Sequence, residues 1–466
     1  MSDPVDLLES ALPGCVSRSE ADRARHRRDT WVLNELRDLE GTPPPLPLAV
    51  VTPRDSAGVA TALRVCRENG VPVVPFGGGS GVVGGIETGA GVVVLSTAGL
   101  EGLVEIDDTN LLARFRAGTN GMEAERCVQK AGLTIGHWPQ SIELSTVGGW
   151  VATRAAGQFS TAYGNVEDVV FALEAVLPDG TVVRTRETPR AAAGPDLRQI
   201  LMGSEGTLGV VTEVTFSLRP LPETRRPLVF HYPSLADAVD PLRRVLRAGH
   251  RPPVARLYDA AESQRNFGDW CPEDRALLIL LHEGPAATVA AEADAVTALC
   301  QEAGGAPGDP AAVEHWLERR NHVPGFRGFL EKGIILDTIE VGCTWDRTVP
   351  IYDAVTASLR EVEGLLTASA HSSHSYRSGT NLYFTFAARP ADRTRMSDIY
   401  RECWQRTMDA TLAAGGGIAH HHGIGRVRRD SLPGELGPGG MTLLRAVKRA
   451  LDPDDLLNPG VLLPTS

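Results

Sequence analysis

Three consecutive histidines, His420, His421 and His422, are the side chains of this 466-residue sequence best suited to moving protons. Imidazole titrates near neutrality, so two adjacent rings can serve as acid, base or oxyanion donor. A surface polyhistidine and a metal site are the competing readings. Three successive side chains splay apart, however, and chelate one ion awkwardly. Asn381-Leu382-Tyr383-Phe384-Thr385-Phe386 alternates like a strand and sets Tyr383 and Thr385 on one face. A phenol, with its ordinary pKa of about 10, works as a base at neutral pH only beside positive charge or hydrogen-bond donors. Without them Tyr383 is a packing residue.

A second kind of chemistry belongs to glycine. The run Pro75-Phe76-Gly77-Gly78-Gly79-Ser80-Gly81, then Gly84-Gly85, follows an apolar stretch. Consecutive glycines allow positive φ and carry no Cβ, so several amides can converge on an anion such as a diphosphate. No Gly-Lys-Ser/Thr follows, and the spacing is not that of a dinucleotide turn with an acidic ribose contact. Two further loops are rich in small residues. One runs from Gln140 and Ser141 through Ser145, Thr146 and Gly149, followed by Thr153-Arg154-Ala155-Ala156. The other is Gly203-Ser204-Glu205-Gly206-Thr207-Leu208-Gly209-Val210-Val211. Three such loops suit a long, flat ligand read by backbone groups.

The elements that must position these residues follow from periodicity. Residues 1–43 carry a charged, helix-permissive pattern that stops at Gly41 and the prolines after it. From 44 to 222, strand and helix patterns alternate: Leu48 to Val51, an amphipathic Ser56 to Asn69, Val71 to Pro75, then Val92 to Ser96. Val176 to Val183 reads as a hairpin with a Pro-Asp-Gly turn. From 223 to 404, apolar runs such as Ala276 to Leu281 alternate with long helical patterns, Leu235 to Ala248 and Ala287 to Glu302. Residues 405–466 bring the histidines, a further helix and Leu457-Asn458-Pro459-Gly460. The expected class is α+β.

Composition narrows the partners. Lys and Arg number 46 against 58 Asp and Glu, a formal charge of −12, which repels nucleic acid and anionic lipid. Met1 to Arg28 holds no apolar signal core, and no stretch is long enough to span a bilayer, so a cytoplasmic protein without an integral membrane segment is expected. Seven scattered cysteines, none in a CxxC pair, read as mostly buried thiols rather than disulfides or a zinc cluster, and no metal is expected.

Together the glycine loop, Ser145-Thr146-Val147-Gly148-Gly149-Trp150 and Gly203 to Val210 resemble the FAD domain of the vanillyl-alcohol oxidase/p-cresol methylhydroxylase family, most of all its alkyldihydroxyacetonephosphate synthase branch. The resemblance implies a PCMH-type FAD domain of two α+β subdomains over 44–222, an antiparallel-sheet substrate cap over 223–404 and a C-terminal helical segment. It implies that Pro75 to Gly81 hold the pyrophosphate, while Gln140 to Thr146, Thr153 to Ala156 and Glu205 to Val211 line the ribityl and isoalloxazine. Tyr383 and the His420 to His422 triplet fall where that branch keeps its proton-transfer groups, with Arg256 and Arg327 as the cations it offers. Neither flavin-facing loop carries the histidine or cysteine by which some relatives bind flavin covalently, so dissociable FAD is expected. A homodimer is implied by resemblance only.

The resemblance leaves two reactions open. One is flavin-dependent oxidation of a small polar hydroxylated substrate such as a 2-hydroxy acid. The other is redox-neutral ether formation of the synthase type. The synthase branch inserts a long lipid-associated segment after the counterpart of Gly268, whereas this chain reaches Ala276 within a few residues. That difference favours oxidation of a small substrate.

Overall fold

The computed structural model describes residues 3–464. A four-stranded sheet has the order Val16–Ser17, Ala49–Val51, Val93–Ser96, Val73–Phe76, with the last three parallel. The helix Ser56–Glu68 starts where the Asp55 carboxylate accepts the Gly58 amide at 2.7 Å. It buries Val59, Leu63 and Cys66 against that sheet. The glycine loop leaves the carboxyl end of the edge strand Val73–Phe76, the end at which open parallel sheets collect ligands.

A second sheet of five antiparallel strands runs Leu103–Asp107, Leu112–Arg116, Val210–Ser217, Val170–Val176, Val182–Arg184. Its last pair is the expected hairpin, with Gly180 at φ 84° and the Leu177 amide donating to Thr181 O at 2.9 Å. Trp150, from the helix Val147–Thr153, fills the core under this sheet beside Phe115 and Phe216.

The third sheet is antiparallel throughout, in the order Ala306–Pro307, Thr224–Tyr232, Ala276–Gly284, Val254–Tyr258, Leu365–Ser372, Gly379–Ala388, Ile335–Thr344. Period-two alternation decides what each face does. Leu382, Phe384 and Phe386 pack under the helices Trp345–Arg360 and Met396–Ala413. Leu278 and Leu280 pack under Leu235–Arg247 and Ala286–Glu302. The opposite face presents Tyr258, His371 and Tyr383 side by side, because Tyr258 pairs with His371 and His371 with Tyr383.

The N-terminal segment packs against more than one sheet. Val16–Ser17 adds an edge strand to the first sheet, and Trp31, Val32, Leu33 and Leu36 enter the core beneath the third. Trp31 Nε1 donates to Tyr400 Oη at 2.9 Å, and Tyr400 in turn donates to the buried Asp337 carboxylate at 2.6 Å. Among the described residues the seven cysteines are free thiols, four of them buried. No helix among these residues is long and apolar enough to cross a membrane.

Candidate active site

The glycine loop is shaped by what it lies against. A Cβ on Gly78 would stand 2.1 Å from Leu144 O, and one on Gly77 2.7 Å from Thr146 Oγ1. Gly79 has φ +67°, and a Cβ there would meet the Phe76 ring at 2.6 Å. Only glycine lets this loop close on the 144–146 loop. Among the described residues the amides of Gly78, Gly79, Ser80 and Gly81 donate to no protein acceptor, which leaves four neighbouring N–H groups available to a ligand. That donor set fits the diphosphate of FAD.

The hydroxyls expected to line the cofactor turn mostly to their own loops. Thr146 Oγ1 caps its helix by accepting the Gly149 amide at 3.3 Å. Ser145 Oγ accepts from Trp150 Nε1 at 2.8 Å and donates to Ser141 O at 2.9 Å, while Thr153 and Thr207 bond Gly149 O and Ser204 O. Val210 and Val211 point their side chains into two different cores. Arg154 is exposed in the left-handed region, 3.6 Å from Glu167, and Gln140 donates across to His322 O of the cap at 2.7 Å. These loops therefore offer the ligand backbone rather than side chains.

Glu205 departs most from expectation. Its carboxylate accepts the Ile424 and Gly425 amides at 2.7 and 2.9 Å, so it straps the histidine loop to the cofactor domain. Burial pushes this carboxyl up to about 7, and the buried Asp29 nearby, also raised to about 7, adds to the shift.

The proton-moving groups converge at the junction of the cradle and the cap. His420 Nε2 lies 2.8 Å from Tyr376 Oη, and its Nδ1 lies 2.8 Å from His421 Nδ1. His374 stacks on His420 with centroids 5.0 Å apart and bonds Ser160 Oγ at 2.7 Å through Nδ1. Burial pulls His420 down to about 4 and holds His421 and His374 well below their ordinary value, so all three rings are neutral at neutral pH. Nitrogens of His374, His420 and His421 gather within 4.8 Å of one another. With hydroxyls and neighbouring rings already engaging these nitrogens, the cluster reads as a proton network.

Tyr383 stacks beside His421 at 6.0 Å and lies between His371 at 4.9 Å and His422 at 5.6 Å. Its hydroxyl accepts from Thr338 Oγ1 at 2.9 Å. Burial raises the phenol well above its usual range, and Glu340 and Asp337 outweigh the opposing pull of Arg256. Tyr383 is thus protonated at neutral pH and able to donate a hydrogen bond.

Arg256 reaches this group. Its Nη2 is 3.0 Å from His371 Nε2 and its Nε donates to Tyr258 Oη at 2.6 Å, with the guanidinium over the Trp316 ring at 5.3 Å. Among the described residues it forms no ion pair. Arg327 is not brought to the site. It opens the one-turn helix Arg327–Leu330, is half exposed, and bonds Glu331 one turn on at 3.1 Å, an ordinary i,i+4 surface pair. Residue types alone had not marked His371, backed by Glu262 at 3.7 Å, nor His374 and Tyr376. Their only signal was the stretch Ser373-His374-Ser375-Tyr376 just before the Tyr383 strand.

Comparison with known proteins bears on the fold and the family. Residues 47–186 match the FAD binding domain family and residues 221–462 the C-terminal domain of FAD linked oxidases. The uncharacterized FAD-linked oxidoreductase YgcU of Escherichia coli K12 is 33% identical over 440 residues, 90% of each chain. Alkyldihydroxyacetonephosphate synthase of Caenorhabditis elegans is 29% identical over 97% of this chain and 82% of its own. Glycolate oxidase subunit GlcD of Bacillus subtilis is 28% identical over 89% and 88%. A solved alkyldihydroxyacetonephosphate synthase superposes with a TM-score of 0.81 at 25% identity, covering 98% of this chain and 86% of that one. p-Cresol methylhydroxylase with bound substrate, at 16% identity and a TM-score of 0.75 over 99% and 96%, shares the fold.

Proposed function

The chain belongs to the FAD-linked oxidase family, and from that premise we propose that this enzyme oxidises a small hydroxylated substrate with an anionic head, such as a 2-hydroxy acid. Bound FAD would supply the two-electron sink. The amides of Gly78 to Gly81 would hold its diphosphate, and the 140–146, 153–156 and 205–211 loops its flavin end. An imidazole of the triplet takes the proton of the substrate hydroxyl. Tyr383 donates a hydrogen bond to the substrate oxygen, and the cap over the junction keeps water away.

Arg256 carries this reading. A guanidinium without an ion pair, beside His371 and Tyr383 in a protein of charge −12, is a natural seat for a substrate carboxylate or phosphate. Redox-neutral ether formation is the second reading, favoured by the cluster of Tyr383 with the histidines and by the synthase likeness. Against it stands the short connection from the helix Ala260–Phe267 to the strand Ala276–Gly284, which leaves little chain for a lipid tunnel. In this reading residues 44–222 hold dissociable FAD, 223–404 form the cap and 405–466 return the histidines to the flavin, in a cytoplasmic homodimer.

The test is anaerobic visible spectroscopy of the yellow protein against a panel of 2-hydroxy acids and acyl-dihydroxyacetone phosphate. Bleaching by a hydroxy acid, reversed by an electron acceptor, is the expected result. Bleaching by the acyl ketone phosphate alone, reversed by a fatty alcohol without any acceptor, overturns it in favour of the synthase. Flavin found in the supernatant after acid precipitation is expected of dissociable FAD.

A further inference from the structure

The histidine loop is gripped from the cap by a residue that neither its chemistry nor its spacing had marked. Glu340 sits on the strand Ile335–Thr344 directly across from Tyr383, so its side chain shares that face of the sheet, and it is fully buried. Its Oε1 accepts the His421 and His422 amides at 3.1 and 2.7 Å. Its Oε2 lies 3.1 Å from His422 Nδ1 and is ion-paired with Arg428, which is equally buried. Arg428 in turn donates to Gly423 O at 2.6 Å and Glu340 O at 3.0 Å, with its guanidinium over Trp404. Burial alone would raise the Glu340 carboxyl, but the Arg428 guanidinium beside it holds it well below its ordinary value, so Glu340 is a carboxylate throughout the working range.

His422 Nδ1 is buried and forms no hydrogen bond, and Glu340 Oε2 at 3.1 Å is the acceptor that lies against it, while the ring stands edge-on to Tyr383 at 5.6 Å. The charged and titratable groups around the ring are Glu340, Arg428, His421, Tyr383 and, further off, Asp337. Of these only Glu340 offers an acceptor at Nδ1. A carboxylate there selects the Nδ1–H form and leaves the Nε2 lone pair facing the substrate, as the orienting carboxylate does for the histidine of a catalytic triad.

We propose that Glu340 is a positioning residue that fixes the tautomer of His422 and so makes His422 Nε2 the acceptor of the substrate hydroxyl proton. The proton role rests on the oxidase reading, whereas the tautomer does not. In the step, the substrate O–H bond breaks, its proton forms the Nε2–H bond, its electron pair forms the second bond of the product carbonyl, and the Nδ1–H stays on the ring facing Glu340. Bound FAD would take up the hydride of the adjacent C–H bond, which is the two-electron oxidation of the substrate carbon.

The test is heteronuclear NMR of the flavin-loaded protein with isotope-labelled histidine, the His422 ring being assigned by its loss in His422→Gln. The wild type is expected to carry its proton on Nδ1. Glu340→Gln turns an amide toward Nδ1 and favours the opposite tautomer. Since this strands the Arg428 charge, Glu340→Gln with Arg428→Met is the paired variant that keeps the interior neutral. Both are expected to lose the Nδ1–H form, and the paired variant to reduce flavin roughly 30-fold or more slowly at unchanged FAD content, a modest fraction of what a misoriented triad histidine loses. Proton density on Nε2 in the wild type overturns the proposal even where neither variant folds. So does an unchanged tautomer in the paired variant. If no hydroxy acid reduces the flavin while the tautomer behaves as stated, the oxidase reading fails and the positioning role stands.

Discussion

At the scale of single residues, the site separates two roles that the sequence had pooled. Tyr383, His420 and His421 are all titratable, but burial acts oppositely on them: it holds the phenol in its protonated form and these two imidazoles in their neutral form. A donor and a set of acceptors follow. Tyr383→Phe is therefore expected to slow anaerobic flavin reduction by about 100-fold or more. Because the phenol titrates above the working range, the drop should be the same from about pH 6 to about pH 9. A basic limb that disappears with the hydroxyl would return Tyr383 to the role of base.

At the scale of elements, two loops matter most, and each is held by a contact that a small change breaks. Gly78 has no room for a methyl group against Leu144 O, so Gly78→Ala must push the cradle away from the 144–146 loop. The purified variant is expected to hold less than about a tenth of the wild-type flavin by absorbance ratio, since misplaced amides no longer converge on the diphosphate. The histidine loop hangs on Glu205. Its carboxyl is raised to about 7 in the folded protein, so as pH rises from the unfolded value of about 4 the unfolded chain gives up its proton first. The stability this group contributes is complete below about 4 and is lost as pH rises through about 7. Glu205→Gln removes that loss, and the Tm of the variant relative to wild type should climb between about pH 5 and about pH 8. A constant difference across that window would show that Glu205 does not titrate there.

At the scale of the whole molecule, the first forty residues tie the cofactor half to the cap. Trp31 lies in the core of the third sheet while neighbouring Asp29 accepts the Trp31 and Ile86 amides at 3.1 and 3.4 Å, next to the glycine loop. Trp31→Ala is expected to cost about 3–5 kcal/mol in denaturant unfolding, the range for emptying a buried tryptophan site, together with a loss of flavin. A cost below about 1 kcal/mol would show that Trp31 does not tie this segment to the core of the third sheet.

By itself the sequence determined the pieces whose causes are local. Period-two and helical alternation located the main strands and helices, and Pro-Asp-Gly marked the hairpin, because backbone sterics and amphipathic burial act over a few residues. The three glycine-rich loops and the histidine triplet were legible for the same reason: each is a run of residues whose types already carry the chemistry, whereas Tyr383 was marked only by the family resemblance. Only the tertiary structure decided which groups meet. Glu340 faces Tyr383 through strand register, Arg428 closes on Glu340 after a helix and a loop, and His371 and Arg256 come together across neighbouring strands. Arg327 shows the converse, an arginine of the right type that its own helix turns toward Glu331. Protonation follows the same division, since desolvation and charge pairing depend on what the fold packs around a group and not on what precedes it in the chain.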